Sequence, residues 1–162
     1  MLSMPREMPT APELRWLALV LQALEYLVGC ELPARVLVEE ALRSRHAVHP
    51  SGVVLKFANG GCPWKTHLYS LERALGVAPL VLFVLYEDSS GMWRVQAVTQ
   101  EGTAFTNRLG LLEPWRGLRD AELSAKAGID GCKFVHASGF IGGNATYEGA
   151  LAMALATVEA AK

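Results

Sequence analysis

The order of predicted elements points to an α/β or α+β sandwich, a mixed β-sheet of four to six strands with helices packed on it. Three observations carry this. Apolar runs of strand length alternate with stretches of helical periodicity. One pair of strands, LVLFVLYE and MWRVQAV, is separated only by DSSG, which makes it a hairpin and breaks the alternation. The chain has 162 residues, 51% of them hydrophobic, enough for one domain with a substantial core.

Residues 1–12 are expected to be a flexible N-terminal tail, and 13–162 a single α/β domain. Residues 13–28 predict a helix with a narrow polar stripe of Arg15, Gln22 and Glu25. Trp16, Leu17, Val20, Leu21, Leu24, Leu27 and Val28 cover most of its remaining surface. A helix so apolar is central in a core or covered by a second body. Gly29 is the predicted stop. In LPARVLVEEALRSR, Pro33 suits the first turn of a second helix whose apolar positions are Val36, Leu37, Ala41 and Leu42.

HPSG predicts a turn and 53–58 the first strand. NGGCPW is a loop leading into a helix on which Trp64, Leu68, Leu71 and Leu75 recur at helical spacing. The strand 80–87 is continuously apolar, as burial on both faces requires. In its hairpin partner, 92–99, Trp93, Val95 and Ala97 face one way and Arg94 and Gln96 the other, so one face is polar. A loop from Glu101 to Arg116 follows, with a short extended piece near AFTNRL. RDAELSAKAG reads as a helix capped by Asp120 and stopped by Gly128. GCKFVHAS supplies a strand at 132–137, and NATYEGALAMALATVEAA the last helix.

A net charge of −1 gives no general electrostatic footprint for nucleic acid. The three cysteines, Cys30, Cys62 and Cys132, form no CxxC pair, which fits reduced thiols in an intracellular protein. No segment is predicted to span a membrane, because WLALVLQALEYLVG is short and interrupted by Gln22 and Glu25. No secretory signal is read at the N-terminus. The four histidines, His46, His49, His67 and His136, show no metal-ligand spacing.

Chemistry concentrates in FVHASGFIGGNATYEGALAMAL. A Gly-rich turn between strand and helix frees backbone N–H groups, and the helix dipole adds positive charge there. Gly139, Gly142 and Gly143 are thus read as an anion cradle, to which His136 adds a donor. Close strand–helix packing explains the same glycines, and the residues leave both readings open. Arg116 and Arg119, three apart in EPWRGLRDAEL, fit a bidentate phosphate clamp with Trp115 stacking or shielding; a surface ion network with a core tryptophan is the alternative. Lys65 and His67 open a helix after paired glycines and form a second possible anion site. A thiol dyad of Cys62 with His67 or His136 lacks an orienting acid.

The segments LPARVLVEEAL, CPWKTHLYSLE, MWRVQAV, PWRGLRDAELS and GCKFVHASGFIGGNATYEGALAMA together resemble the C-terminal half of the melanocyte proliferating gene (Myg) family. That family is a branch of the DHH phosphoesterase superfamily, metal-dependent hydrolases and 3′→5′ RNA exonucleases. The resemblance runs from about Trp16 to Lys162. It implies a substrate-binding domain whose Gly-rich loop before the last helix cradles phosphate. The implied site is His136, Ser138, Gly139, Gly142, Gly143 and Asn144, supported by Arg116 and Arg119, with Lys65 a weaker addition. Asn144 stands where the superfamily pattern has a histidine.

The resemblance also implies a departure. The family's N-terminal domain, whose histidines and aspartates bind Mn²⁺ or Mg²⁺, has no counterpart in this sequence. No catalytic and no metal-ligating residue is therefore assigned to this chain. The implied partners are RNA or a nucleotide phosphate, and either the N-terminal metal domain or a second copy packed on helix 13–28. The implied compartments are nucleus and mitochondrion, with no targeting signal read in the chain. A different class of function remains, a stand-alone non-catalytic module binding a nucleotide or another small anion.

Overall fold

A computed structural model describes residues 10–58 and 60–162. At its centre lies a five-stranded mixed sheet in the order β1-β2-β3-β5-β4. The strands are β1 Val54–Lys56, β2 Phe83–Glu87, β3 Trp93–Ala97, β4 Cys132–Val135 and β5 Ile141–Asn144. β1 and β2 pair in parallel; β3, β5 and β4 add on antiparallel. The helices are α1 Ala11–Tyr26, α2 Leu32–Val48, α3 Trp64–Leu75, α4 Asp120–Ala127 and α5 Tyr147–Ala160. This is the mixed sheet with packed helices that the element order predicts. Of the expected tail, residues 1–9 lie outside the described residues, while Ala11 and Pro12 already belong to α1.

Strand alternation splits the core in two. Phe83, Leu85, Val95 and Ala97 point to one side, where they meet Met153, Ala150 and Ala154 of α5, Leu123 of α4, and Leu111 and Trp115. Leu55, Val84 and Val98 point to the other, against Val38, Ala41 and Leu42 of α2 and Leu68 and Leu71 of α3. The result is three layers, but an uneven set. α2 lies over β1 and packs on α3, leaving the β3-β5-β4 half of that face largely uncovered.

Several expectations are corrected. Gly29 does not stop the first helix. A π-turn over Leu27–Glu31 joins α1 to α2, and the Leu32 N–H reaches back to the Leu27 carbonyl. Pro33 follows at once. Its ring has no N–H to give the preceding turn, and a widened turn relieves the clash with the carbonyl four residues back. By length and composition the joined helix Leu14–Val48 is long and apolar enough to cross a membrane. Its second half is amphipathic, burying Ala34, Val38, Ala41 and Leu42 in the domain while Arg35, Glu40 and Arg43 remain outside. Val36, expected inside, is exposed.

On α3 the buried face is Trp64, Leu68, Leu71 and Glu72, with Leu75 outside. The carboxylate on that apolar face is matched by Arg108, whose guanidinium donates to both Glu72 oxygens at 2.8 and 2.7 Å and to the Val81 carbonyl at 2.8 Å. Asp120 does not cap α4; it is the first helical residue, in the left-handed region at φ 44°, a conformation aspartate tolerates better than most residues. Trp115 is buried in the core and has no face to offer a ligand. The extended piece near AFTNRL is present, with Thr99 bridged to Asn107 and the Arg108 N–H bonded to the Val98 carbonyl.

Candidate functional site

The largest correction concerns the Gly-rich segment. Gly142 and Gly143 are not in a loop; they form β5, inside the sheet between β3 and β4. A strand with neighbours on both sides commits its backbone groups to the ladder, so these N–H groups are not open to an anion. Both glycines answer to close packing. A Cβ on Gly142 would sit 3.0 Å from Leu111 Cδ1 and 3.1 Å from the Phe134 carbonyl oxygen. On Gly143 it would meet the Phe134 ring at 3.0 Å and an Arg94 nitrogen at 3.2 Å.

Asn144 is likewise inward. Its amide donates to the Asp130 carbonyl at 2.9 Å, and its Oδ1 accepts the Thr146 N–H at 3.0 Å. Thr146 in turn caps α5, accepting the Gly149 N–H on Oγ1 at 3.1 Å. Asn144 therefore anchors the start of α5, fully buried.

What remains of the predicted site is a turn. β4 leaves at Val135, and the Gly139 N–H closes onto the His136 carbonyl at 2.8 Å. Gly139 has φ 70°, and a Cβ there would lie 2.5 Å from Arg116 Nε. Arg116 is the fastener behind this turn: its Nε–H donates to the Leu111 carbonyl at 2.9 Å, and Leu111 N–H donates to the Gly139 carbonyl. The turn presents His136 and Ser138 outward, both exposed. The Ser138 N–H donates to His136 Nδ1 at 3.1 Å, so in the neutral ring the proton resides on Nε2. Phe140 packs edge-on against the His136 ring at 4.8 Å.

A β-bulge sets which way these side chains face. Cys132 pairs with Asn144 and Phe134 with Gly143, so Lys133 is one extra residue in β4. One residue of slip exchanges the two faces of a strand. The bulge therefore sends Val135 into the core and Phe134 and His136 to the uncovered face, beside Arg94 and Gln96 of β3. Residues 117–119 run along the outer edge of β4, where Arg119 bridges to Phe134. Both Arg94 and Arg119 lie over the Phe134 ring, at 5.0 and 5.9 Å. Arg94 is also paired to Asp88 at 2.5 Å.

Beside this strip the uncovered face dips into a cleft of about 380 Å³. Lys65 from the first turn of α3, Gln96 from β3, and His136 and Ser138 from the turn line it. Phe105 and Asn107 close it from the 100–107 loop. The structure thus gathers Lys65, His136 and Ser138, and places Arg119 on the same face by way of Phe134. Arg116 and Arg119 go to different partners and form no joint clamp. Sequence reading missed Phe105, Asn107 and Phe140. Only the polar face of β3 signalled Arg94 and Gln96. Burial pushes the Cys62 and Cys132 thiols upward, away from the reactive thiolate.

Among the described residues no three His, Cys, Asp or Glu side chains gather as metal ligands. The cleft is lined by Lys65, His136 and Ser138 with the amides of Gln96 and Asn107 and by no carboxylate, a set that suits an anion and does not fit Mn²⁺ or Mg²⁺.

The chain is a layered α/β domain with one half-open sheet face that carries cationic, aromatic and amide side chains. The family model MYG1_exonuc, described as uncharacterised protein family UPF0160, matches residues 16–158. The MYG1 exonuclease of Bos taurus is 57% identical over 138 residues, covering 85% of this chain and 36% of that protein. The human MYG1 exonuclease is 55% identical, with 85% and 37% covered, and the Dictyostelium discoideum MYG1 protein 51%, with 85% and 42% covered. The chain belongs to the MYG1 exonuclease family. It spans little more than a third of the length of these relatives. No solved structure matches it.

Proposed function

We propose that this domain is the substrate-binding part of a Myg-type metal-dependent phosphoesterase, a 3′→5′ exoribonuclease of the DHH superfamily. Its task is to hold and orient substrate phosphate. The observation that carries this reading is the convergence of Lys65, His136 and Ser138 on one cleft, with Arg119 and Arg94 flanking Phe134 on the same face.

Each group has a defined part. Lys65 supplies a mobile point charge. His136 offers its Nε2–H, held outward by the Ser138 contact. Ser138 Oγ lies 3.0 Å from His136 Nδ1, donates to it, and so steadies the ring that presents that proton. Hydrogen bonds to a charged phosphate contribute roughly 1.5–3 kcal/mol each. Arg119 follows the strand of RNA along the sheet. Because the described residues do not fit a metal ion, no step of bond cleavage is assigned to them; metal ligation belongs to residues of the longer protein. The apolar surface of α1 is the docking face for that metal-bearing part, as burial of each exposed leucine or valine stabilises contact by about 1.5–3 kcal/mol.

Fluorescence anisotropy with a labelled single-stranded RNA tests this. Lys65→Ala and Arg119→Ala each weaken binding and flatten its salt dependence. Unchanged affinity in both variants would remove the phosphate-binding reading.

A further inference from the structure

We infer that the cleft beside His136 is a nucleobase subsite, taking the base of the nucleotide whose phosphate is held at Lys65 and His136. The inference rests on the phosphate-binding reading of this face and adds what occupies the space next to it.

Phosphate alone does not explain the lining. Phe105 is 93% exposed, at the tip of a loop that is otherwise well tied. Gln100 N–H bonds the Thr106 carbonyl at 2.8 Å, and Thr103 Oγ1 donates to the Gln100 carbonyl at 2.9 Å. A phenyl ring held in water by a bonded loop costs hydration with no return inside the domain. Across the cleft Phe140 offers a second ring, steadied by His136. Two aromatic side chains at the walls of an open slot suit a flat π-system, and stacking of this kind tolerates any base.

The polar groups suit a base edge. Tyr86 donates its hydroxyl to Gln96 Oε1 at 3.1 Å, which fixes that amide and leaves its two N–H donors for the cleft. Asn107 contributes a second amide, whose Oδ1 is buried and has no hydrogen-bond partner among the described residues. Thr99 is not available, because its Oγ1 is engaged with the Tyr69 hydroxyl at 2.7 Å. At about 380 Å³ the cleft falls within the range of small-ligand sites, with few polar groups in an apolar wall. Two amides that read an edge, two rings that stack and a cation outside are the complement of a nucleotide.

Nuclear magnetic resonance titrations of the chain with inorganic phosphate, ribose 5-phosphate and the four nucleoside 5′-monophosphates decide the matter. The nucleotides bind about 5- to 150-fold more tightly than ribose 5-phosphate, the range expected for one stacked base. Phe105→Ala, a change at a fully exposed side chain, removes that advantage and leaves ribose 5-phosphate binding as it was. Lys65→Ala weakens all the phosphate-bearing probes together. Equal affinity for nucleotides and ribose 5-phosphate in the wild type would overturn the base subsite and leave the phosphate site standing. A nucleotide advantage that survives both Phe105→Ala and Phe140→Ala would overturn it too. If no probe binds, both readings fall.

Discussion

The backbone N–H of Ser138 donates to Nδ1 of His136 at 3.1 Å, and this contact decides which ring nitrogen faces the cleft. With Nδ1 engaged as an acceptor, the neutral imidazole carries its proton on Nε2. Long-range ¹⁵N–¹H correlation spectra above the pH where the ring is neutral should show a pyridine-like Nδ1 and a protonated Nε2. His136→Ala should weaken RNA binding by about tenfold, the scale of one good hydrogen bond, without lowering thermal stability, since the side chain is exposed. A protonated Nδ1 would reverse the assigned role.

The Glu72–Arg108 pair is the most buried charge contact described, with side chains only 3% and 12% exposed. Glu72 also accepts the Val81 N–H, and Arg108 donates to the Val81 carbonyl, so the pair ties α3 to the start of β2. Glu72→Ala strands a buried guanidinium and should cost about 3–5 kcal/mol, read as a lower urea midpoint. The double change Glu72→Leu with Arg108→Met should recover much of this, because it removes both charges. A double variant no more stable than the single one would mean the pair contributes net stability.

Asp88 is expected to contribute to stability at low pH. The Ser90 hydroxyl, then the N–H groups of Ser90 and Met92, and Arg94 stabilise its ionised form and lower its pKa to about 2. Its unfolded value is higher, so between these values the unfolded chain binds more protons. The stabilising contribution is therefore present above about pH 4 and is lost as pH falls toward 2. Asp88→Asn should abolish this part of the slope in melting temperature between pH 2 and 4. A slope identical in the variant would show that other carboxylates set it. Arg94 is held by the same Asp88, so the variant should also loosen the cation over Phe134.

Helix α1 leaves Leu17, Val20, Leu21 and Leu24 exposed, with Trp16 70% exposed, and Val28 of the π-turn continues the exposed stripe. A stripe of this extent in water favours association. On its own the chain should sediment with a concentration-dependent mass, and Leu17→Glu with Leu24→Glu should return it to the monomer without altering the domain's circular dichroism. A wild-type chain that stays monomeric at 0.1 mM or so would argue against an interface on α1.

Much of the layer architecture is legible from periodicity. The polar face of Arg94 and Gln96 and the helical spacing of Trp64, Leu68 and Leu71 reach the fold as read, while the strand predicted over 80–87 forms only as 83–87. The errors have local causes. Gly29 suggests a stop, but the chain needs only a widened turn before Pro33, and a π-turn has no compositional mark. IGGN lacks β-branched weight apart from Ile141, and so reads as loop; its strand state comes from β3 and β4 on either side, a tertiary choice. The bulge at Lys133, which turns Phe134 and His136 toward the site, has no signature in FVHASG at all. His136 and Lys65 are legible by residue type and Ser138 only through the family resemblance, whereas Phe105 and Asn107 come from a distant loop that only folding brings near.

The claim that the uncovered β3-β5-β4 face holds substrate phosphate is tested most directly by mapping backbone amide shifts of the chain as a short single-stranded RNA is added. The largest changes should fall on Lys65, Gln96, Arg119, His136 and Ser138, and should fade as salt is raised. The α5 face, with Ala150 and Met153, should stay silent. Shifts concentrated on α5 or α4, or none at saturating RNA, would contradict the account.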